Sequence, residues 1–594
     1  MLPTLRRLRL PPSVPLTREE GFLCTLLDDT CRWMQTTNPS VDVDGASRSY
    51  ADLCHRPTAT TPCEARIAGG WVRDKLLGLP SHDLDVSLSS MTGHHFALFL
   101  KAYLESELFP STPLAREIQA HVPSDARISH IGKIAANPEQ SKNLETATAR
   151  VLGFDLDFVN LRKEVYEGTH RIPTMSFGTP LEDALRRDMT VNALFYNVHT
   201  AAIEDWTQHG LADLRDGIVR TPMDPTSTFT DDPLRILRCV RFGSRFGYTI
   251  HPDIRAALAM PASSLHTALA SKVSRERFGI EVDKMLSGRD PRYALQLLSQ
   301  LQLYWVVFMP PPPLSQRMGL SSDHGAHIDE LVHDAPDEHA ALLASDGFDS
   351  LLRGASPLWS RLPADWLARM RSPDFGAKRR LVWYTVALFP LRHLYIQAKK
   401  QPAWAGAVTI STGLKLGNRN TRDPVTCLVQ AASLLSRPRL ERFVPEACLT
   451  RRSTIGLLLR HPYVSQPHGD VALDNALLVA LLYDLATYAP DGLDTPVAEA
   501  IVDEHAAFWA YVRDEQLSSY VHAKPLVDGR QVAAALGCDV CLLSRILPYV
   551  TAWDMDHVDD EPDRPGRCLQ ALQRAWEDGH MVPVSERRPR GKSS

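Results

Sequence analysis

The stretch RIAGGWVRDKLLGLPSHDLDVSL, residues 66–88, dictates a strand, a tight turn, a short helix and a second strand, with its chemistry gathered on one side. Successive side chains of an extended strand alternate faces, so Asp83 and Asp85 share a face while Leu84 and Val86 turn toward a core. Two carboxylates on one face make a seat for a divalent cation. The apolar lead-in Ile67–Ala68 precedes Gly69 and Gly70, whose missing side chains let the backbone approach a polyphosphate closely, and Arg73 follows at the start of the helix. The spacing predicts strands over 66–68 and 83–88 flanking a helix over 71–77 that Gly78 stops. A D-x-D pair alone reads equally well as a cap or a turn. Coupled to Gly69-Gly70-x-x-Arg73-Asp74, it points to Mg²⁺, which takes carboxylate oxygens and keeps waters and substrate phosphates in its other positions. Two such ions, about 4 Å apart, would activate an attacking hydroxyl and neutralise a leaving pyrophosphate. Asp155 or Asp157 in FDLDFVNL could supply a third acid.

Two further constellations lie downstream. Thr179-Pro180-Leu181-Glu182 is a capping box with proline at the first helical position, predicting a helix through LEDALRRDMTVNALFYN, residues 181–197. Adjacent Arg186 and Arg187 would diverge by about 100° on it, so one can face a site while the other pairs elsewhere. Pairing of Arg187 with Asp183 at the surface is the plain alternative, worth a few tenths of a kcal/mol. Arg187 is the candidate phosphate or ribose contact, with Asp188 and Asn192 to orient it.

In DDPLRILRCVRFGSRFG, residues 231–247, Pro233 suits a first helical turn and Asp232 an N-cap. Arg235, Arg238, Arg241 and Arg245 then share a face at spacings of three, three and four, opposite Ile236, Leu237 and Val240. Like charges stacked this way repel, so an anionic ligand along the helix explains them better than a solvated face does. A carboxylate can accept from the amino group of cytosine or adenine while a guanidinium donates to their ring acceptors, so Asp232 with Arg235 could read both. Uracil and guanine would set a carbonyl against Asp232 and leave a buried polar group unpaired, a mismatch that can discriminate by several orders of magnitude.

At 594 residues the chain is too long for one core. A net charge of -5 excludes a globally basic nucleic-acid binder, so any polyanion site is local. No apolar run approaches the roughly 20 residues that cross a bilayer. The ten cysteines are scattered, and the one C-x-x-C, Cys538 and Cys541, lacks the partners of a zinc site, so they read as packing thiols. Arg6, Arg7, Arg9 and Arg18 precede any acid, as in a mitochondrial presequence, although Pro11, Pro12 and Pro15 interrupt a helix there, so a disordered tail fits equally. Thr17 caps a helix running to about Met34. Residues 107–150 read as a mobile polar loop between two strands, helical patterns dominate from about 232, and Pro310–Pro313 reads as a linker.

With these residues in view, the chain resembles the class II tRNA nucleotidyltransferases, the CCA-adding enzymes, and is most like the eukaryotic ones. The resemblance rests on GGWVRDKLLGLPSHDLDV, DFVNLRKE, EDALRRDMTVNALFYN, GLADLRDGIVRTP, DDPLRILRCVRFGSRFGY and KVSRERFGIEVDKML, in order over about 66–288. KPLVDGRQVAAALG at 524–537 is a weaker echo of the family's tail, without the Gly-Pro-containing sequence expected after it. The resemblance implies an α+β chain: an N-terminal polymerase-β-like nucleotidyltransferase head with a small mixed sheet, then an all-helical neck, body and tail. The corresponding boundaries are an N-terminal segment over 1–38, head 39–200, neck 201–290, body 291–480 and tail 481–594. It further implies Mg²⁺ on Asp83 and Asp85, nucleotide contacts from Gly69, Gly70, Arg73 and Arg187, and a base template and triphosphate helix with Asp232, Arg235, Arg238 and Arg241. The substrates would be tRNA, CTP and ATP, and the segment 272–284 would support the template helix. Poly(A) polymerases and CC- or A-adding relatives share these motifs, and a catalytically silent tRNA-binding protein is the rival from another class. Mitochondrial, cytoplasmic and nuclear locations all fit.

Overall fold

A computed structural model describes residues 9–55, 63–81, 83–122, 128–134, 146–165, 174–259, 264–322, 327–331, 336–397, 402–444, 448–465, 473–558 and 562–582. They belong to two units, residues 1–281 and 282–594. Arg6 and Arg7 of the basic N-terminus and residues 583–594 lie outside the described residues.

Thr17 opens the first unit. Its hydroxyl accepts from the Glu20 amide while the Glu20 carboxylate accepts from the Thr17 amide, and α1 (Arg18–Thr37) buries Leu23, Leu26, Leu27 and Met34. A seven-stranded mixed sheet follows. In chain order its strands are β1 (Ala65–Ala68), β2 (Asp83–Leu88), β3 (Ile128–Ile134), β4 (Thr146–Val151), β5 (Phe154–Asn160), β6 (Phe195–Asn197) and β7 (Ala202–Glu204), arranged β7-β6-β1-β2-β5-β4-β3. Between β1 and β2 runs α2 (Gly70–Leu76), close to the expected span, with Gly78 in the left-handed region just beyond it. The one parallel pair, β2 with β5, sets Asp83 beside Asp155 and Asp85 beside Asp157. All four carboxylates sit on exposed positions of their strands, while Leu84, Val86, Leu156 and Phe158 are buried beneath them.

Strands joined in parallel need a long crossover. Part of it is the segment expected to be a mobile loop, and there the expectation is corrected: 107–150 carries a helix, Pro113–His121, and the strands β3 and β4. Ala147, Ala149 and Val151 are buried and alternate with polar neighbours, a period that the overall polarity of the segment hides. Residues 123–127 and 135–145 lie outside the described residues. The edge strand β7 also comes from just past the boundary expected at 200.

The helix expected over 181–197 is corrected too. It stops as α3 (Pro180–Leu185); Met189 is extended, Thr190–Asn192 forms a 3₁₀ turn, and Phe195–Asn197 pairs antiparallel with β1. Sheet pairing outweighs helical propensity here, because Phe195 and Tyr196 complete a buried strand. Further on, α4 (Pro225–Asp231) ends at Asp232, whose extended backbone is what the following proline demands. The arginine helix α5 (Leu234–Phe246) starts after Pro233. Helix α6 (Arg275–Leu286) buries Phe278, Val282, Met285 and Leu286 at the expected spacing.

The second unit is mainly helical. Its central helix, Leu473–Tyr488, is apolar on every side and buried from Asn475 to Ala486. Helices Gly529–Leu536, Leu543–Asp556 and Arg564–Glu577 close over a separate apolar cluster that includes Val532, Ile546, Val550 and Leu572. One addition to the all-helical expectation is a four-stranded sheet made of Met318–Ser322, His327–Leu331, Leu394–Ile396 and Ala403–Trp404. Among the described residues no single helix is long and apolar enough to cross a membrane. All ten cysteines are free and six are buried, as packing residues would be.

Candidate active site

The turn after β1 sets the geometry. Gly69 holds φ at +75°, its amide donates to the Leu194 carbonyl at 2.9 Å, and a Cβ there would stand 2.8 Å from an Arg187 guanidinium nitrogen. Glycine is needed both for the backbone angle and for the space. Arg187 leaves the end of α3 and donates to Asp183 Oδ2 at 2.9 Å and to the Asn192 carbonyl at 3.1 Å, with its cation 5.0 Å from the centre of the Phe195 ring. Asp183 is not at the surface: it is 1% exposed and also holds Arg186 at 2.5 Å. Burial pushes its carboxyl up, but Arg187 and Arg186 outweigh that and hold it below the usual carboxylate range. Both arginines are therefore anchored by one acid instead of diverging.

Removing that acid strands two cations. Asp183→Asn should destabilise the protein by about 3 kcal/mol at pH 7. A carboxyl whose folded pKa is depressed contributes its full stability above its unfolded pKa, so the deficit of the variant should be complete above about pH 4 and shrink as pH falls below it. Urea midpoints of both proteins at pH 7 and pH 3 check this; an equal deficit at the two pH values would rule out an ionic role.

Arg73 is 3% exposed. Its Nε donates to Asp74 at 2.8 Å, an Nη donates to the Asn192 side-chain oxygen, and the guanidinium lies 5.0 Å from the Phe242 ring and 4.8 Å from the Phe246 ring of α5. Burial lowers this guanidinium from its ordinary value and Asp74 opposes that. Asn192 in turn donates to Asp188 at 3.0 Å, and Asp188 receives Arg238 at 2.6 Å. Asp188 and Asn192 thus serve Arg238 and Arg73, with only the Asn192 backbone serving Arg187.

The arginine face of α5 was expected to need an anionic ligand for want of neighbouring acids. Other elements supply acids instead: Asp188 for Arg238, Glu281 for Arg241 at 2.6 Å, and Asp74 for Arg245 at 3.7 Å. Spacing along one helix cannot reveal partners brought in from elsewhere. Pro233, not the expected Asp232, takes the N-cap position of α5; Asp232 closes α4, yet its Oδ1 accepts the Leu234 amide at 3.2 Å and its second oxygen receives Arg277 of α6 at 3.0 Å. Arg235 is 7% exposed and donates toward the Thr228 carbonyl at 3.4 Å.

These groups surround one cavity of about 620 Å³. Gly69, Gly70, Arg73, Asp85, Arg187, Asp232, Arg235 and Arg238 all line it. Asp83 stands two residues before Asp85 on the same strand face, outside the lining, and Arg241 points to Glu281 instead. Seven guanidiniums (Arg73, Arg162, Arg186, Arg187, Arg235, Arg238, Arg277) face four carboxylates (Asp85, Asp188, Asp232, Glu281), a formal excess of three positive charges suited to a polyphosphate. Although Asp85 is exposed on its strand, the protein crowded around it raises its carboxyl above the usual range; Arg187 pulls it down, and Asp157 and Asp83 push it up. A cation would relieve that repulsion. Arg162, Phe242, Arg277, Ile280 and Glu281 were missed as lining residues, although Arg277, Ile280 and Glu281 at helical spacing in RERFGIE are a legible signal for one helix face.

The family description "Poly A polymerase head domain" matches residues 65–220, and "Probable RNA and SrmB- binding site of polymerase A" matches 247–315. The mitochondrial CCA tRNA nucleotidyltransferase of Saccharomyces cerevisiae is 35% identical over 532 residues, covering 88% of this chain and 87% of the relative. The chain belongs to the CCA tRNA nucleotidyltransferase family. This nucleotidyltransferase is also 32% identical to a tRNA nucleotidyltransferase of Schizosaccharomyces pombe, over 87% of this chain and 94% of that one. A solved CCA-adding enzyme in an apo form shares its fold with a TM-score of 0.50 at 16% identity, over 93% of this chain and 96% of that one.

Proposed function

We propose that the enzyme adds C, C and A in turn to the 3′ end of a tRNA, taking nucleotides from CTP and ATP and releasing pyrophosphate each time. The observation that carries this reading is one cavity that holds both a phosphate-directed half, Asp85 with Gly69, Gly70, Arg73 and Arg187, and a base-directed half, Asp232 with Arg235. A metal seat alone would serve many polymerases; a protein carboxylate and guanidinium placed to read an amino group would serve an enzyme that works without a nucleic-acid template.

Asp83 and Asp85, on one face of β2 with Asp157 in register beside Asp85, are the carboxylates that would hold the metal in this reading. Among the described residues no group of three His, Cys, Asp or Glu side chains is placed to hold a metal ion, so the reading rests on the carboxylate pair and on the preference of Mg²⁺ for carboxylate oxygens, waters and substrate phosphates. When bound, Mg²⁺ would lower the charge cost of the attacking 3′-oxygen and the departing pyrophosphate. The chain's own part is to hold the triphosphate against Arg73, Arg187 and Arg238, with Arg241 supporting through Glu281, and to select the base through Asp232 and Arg235. Fixed guanidiniums act on the developing phosphoryl charge without reorganising during the reaction. In this reading the head, neck, body and tail divide the chain as its sequence suggests, and the helical second unit meets tRNA by shape and backbone, so binding weakens with salt. Mitochondria are the compartment to test first, since the name of the Saccharomyces cerevisiae relative places that protein there.

The deciding experiment incubates the purified protein and Mg²⁺ with tRNA lacking its 3′ end, with tRNA ending in CC and with complete tRNA, giving CTP and ATP separately and together. Arrest after three added nucleotides is the expected result. A long A tail would favour the second reading, poly(A) polymerase, which has support in the head-domain match and in a 29% identity to Poly(A) polymerase I of Escherichia coli over 38% of this chain.

A further inference from the structure

Each oxygen of Asp232 carries a bond from a different element. Oδ1 accepts the Leu234 amide of α5 and Oδ2 accepts the Arg277 guanidinium of α6. With only the first bond, the carboxylate could swing about its side-chain torsions; with one bond on each oxygen it cannot turn without breaking one of them. Each oxygen keeps a second acceptor position, so the group is held in one orientation and still able to accept. Arg277 and Asp232 both line the cavity. The side chains are 43% and 27% exposed, which leaves the pair little to contribute to folding. Glu281, one turn further along α6, is spent on Arg241, so within this helix the support of the arginine helix and the grip on Asp232 belong to different residues.

We propose that Arg277 is a positioning residue for base choice: it fixes the Asp232 carboxylate in the orientation that accepts an exocyclic amino group. The proposal rests on the reading of Asp232 as the base-selecting acid. Hydrogen-bond discrimination depends on direction, because an acceptor free to rotate away from a carbonyl no longer penalises it. Arg277 therefore sharpens the rejection of uracil and guanine through the Asp232 carboxylate, without itself donating to the base.

The test compares kcat/KM for CTP against UTP, and for ATP against GTP, in Arg277→Met, Arg277→Lys, Asp232→Ala and the double variant Asp232→Ala/Arg277→Met. In Arg277→Met both ratios should fall about tenfold, with KM for CTP rising more than kcat falls. Arg277→Lys, which keeps a charged donor but not the planar fork, should recover part of the ratio. The double variant should discriminate no worse than Asp232→Ala, since Arg277 acts through that carboxylate. Unchanged ratios in Arg277→Met, or a further loss in the double variant, would overturn the role of Arg277 while leaving base reading by Asp232 intact. An unchanged ratio in Asp232→Ala itself would overturn the base-reading assignment underneath.

Discussion

Replacing Asp85 by Asn should slow nucleotide incorporation about a thousandfold, corresponding to several kcal/mol of lost transition-state stabilisation, while tRNA binding stays within about twofold. The side chain keeps its shape and loses its charge, and it sits on an exposed strand position, so the fold has little to lose. It has something to gain: burial by the surrounding protein raises the Asp85 carboxyl above its usual range, and repulsion from Asp157, in register with it, and from Asp83 adds to that against the pull of Arg187. Without added metal, the melting temperature of the variant should equal or exceed that of the wild type. Lost activity with undiminished stability separates a group kept for chemistry from one kept for folding. Incorporation within tenfold of wild type would remove Asp85 from the reaction.

Replacing Asp232 by Ala should lower the preference for CTP over UTP, and for ATP over GTP, by about a hundredfold or more. Under the proposed function, the preference would come from an acceptor facing an acceptor whenever uracil or guanine enters. With the carboxylate gone that opposition disappears, while Arg235 can still donate to a carbonyl. Incorporation of the correct bases should fall less than the ratio does. The lost cap on the Leu234 amide should cost about 1 kcal/mol of stability, a separate quantity measurable by denaturation. If the ratios hold and only stability falls, Asp232 is a cap and nothing more.

Local rules made much of this architecture legible. The cap at Thr17, the capping box at Thr179, the helix stop at Gly78 and the same-face pair Asp83 and Asp85 depend on residues within a few positions of one another, and each is found in the structure. What local rules could not supply was the partner from another element. Arg186-Arg187-Asp188 read as helical because its propensity is helical, yet Phe195–Asn197 is claimed by β1 and pulls the chain out of the helix. The arginines of α5 looked unopposed because Glu281 lies 40 residues beyond Arg241 and Asp188 lies 50 residues before Arg238. The same blindness hid Arg277, whose importance exists only once α6 stands against Asp232. Residues 107–150 failed for a different reason: alternation in a strand flanked by polar segments disappears when polarity is averaged.

Arg73 has a consequence for the size of what the cavity can hold. One guanidinium is gripped by Asp74 of its own helix and by the turn at Asn192, and rests on the Phe242 and Phe246 rings of α5. It ties α2 and the turn at Asn192 to α5, the elements to which the proposed function assigns the phosphates and the base. Under the proposed function, a purine and a pyrimidine would present their amino groups at different reach from the sugar, and with α2 and α5 tied by Arg73 that difference would be taken up by how the nucleotide lies.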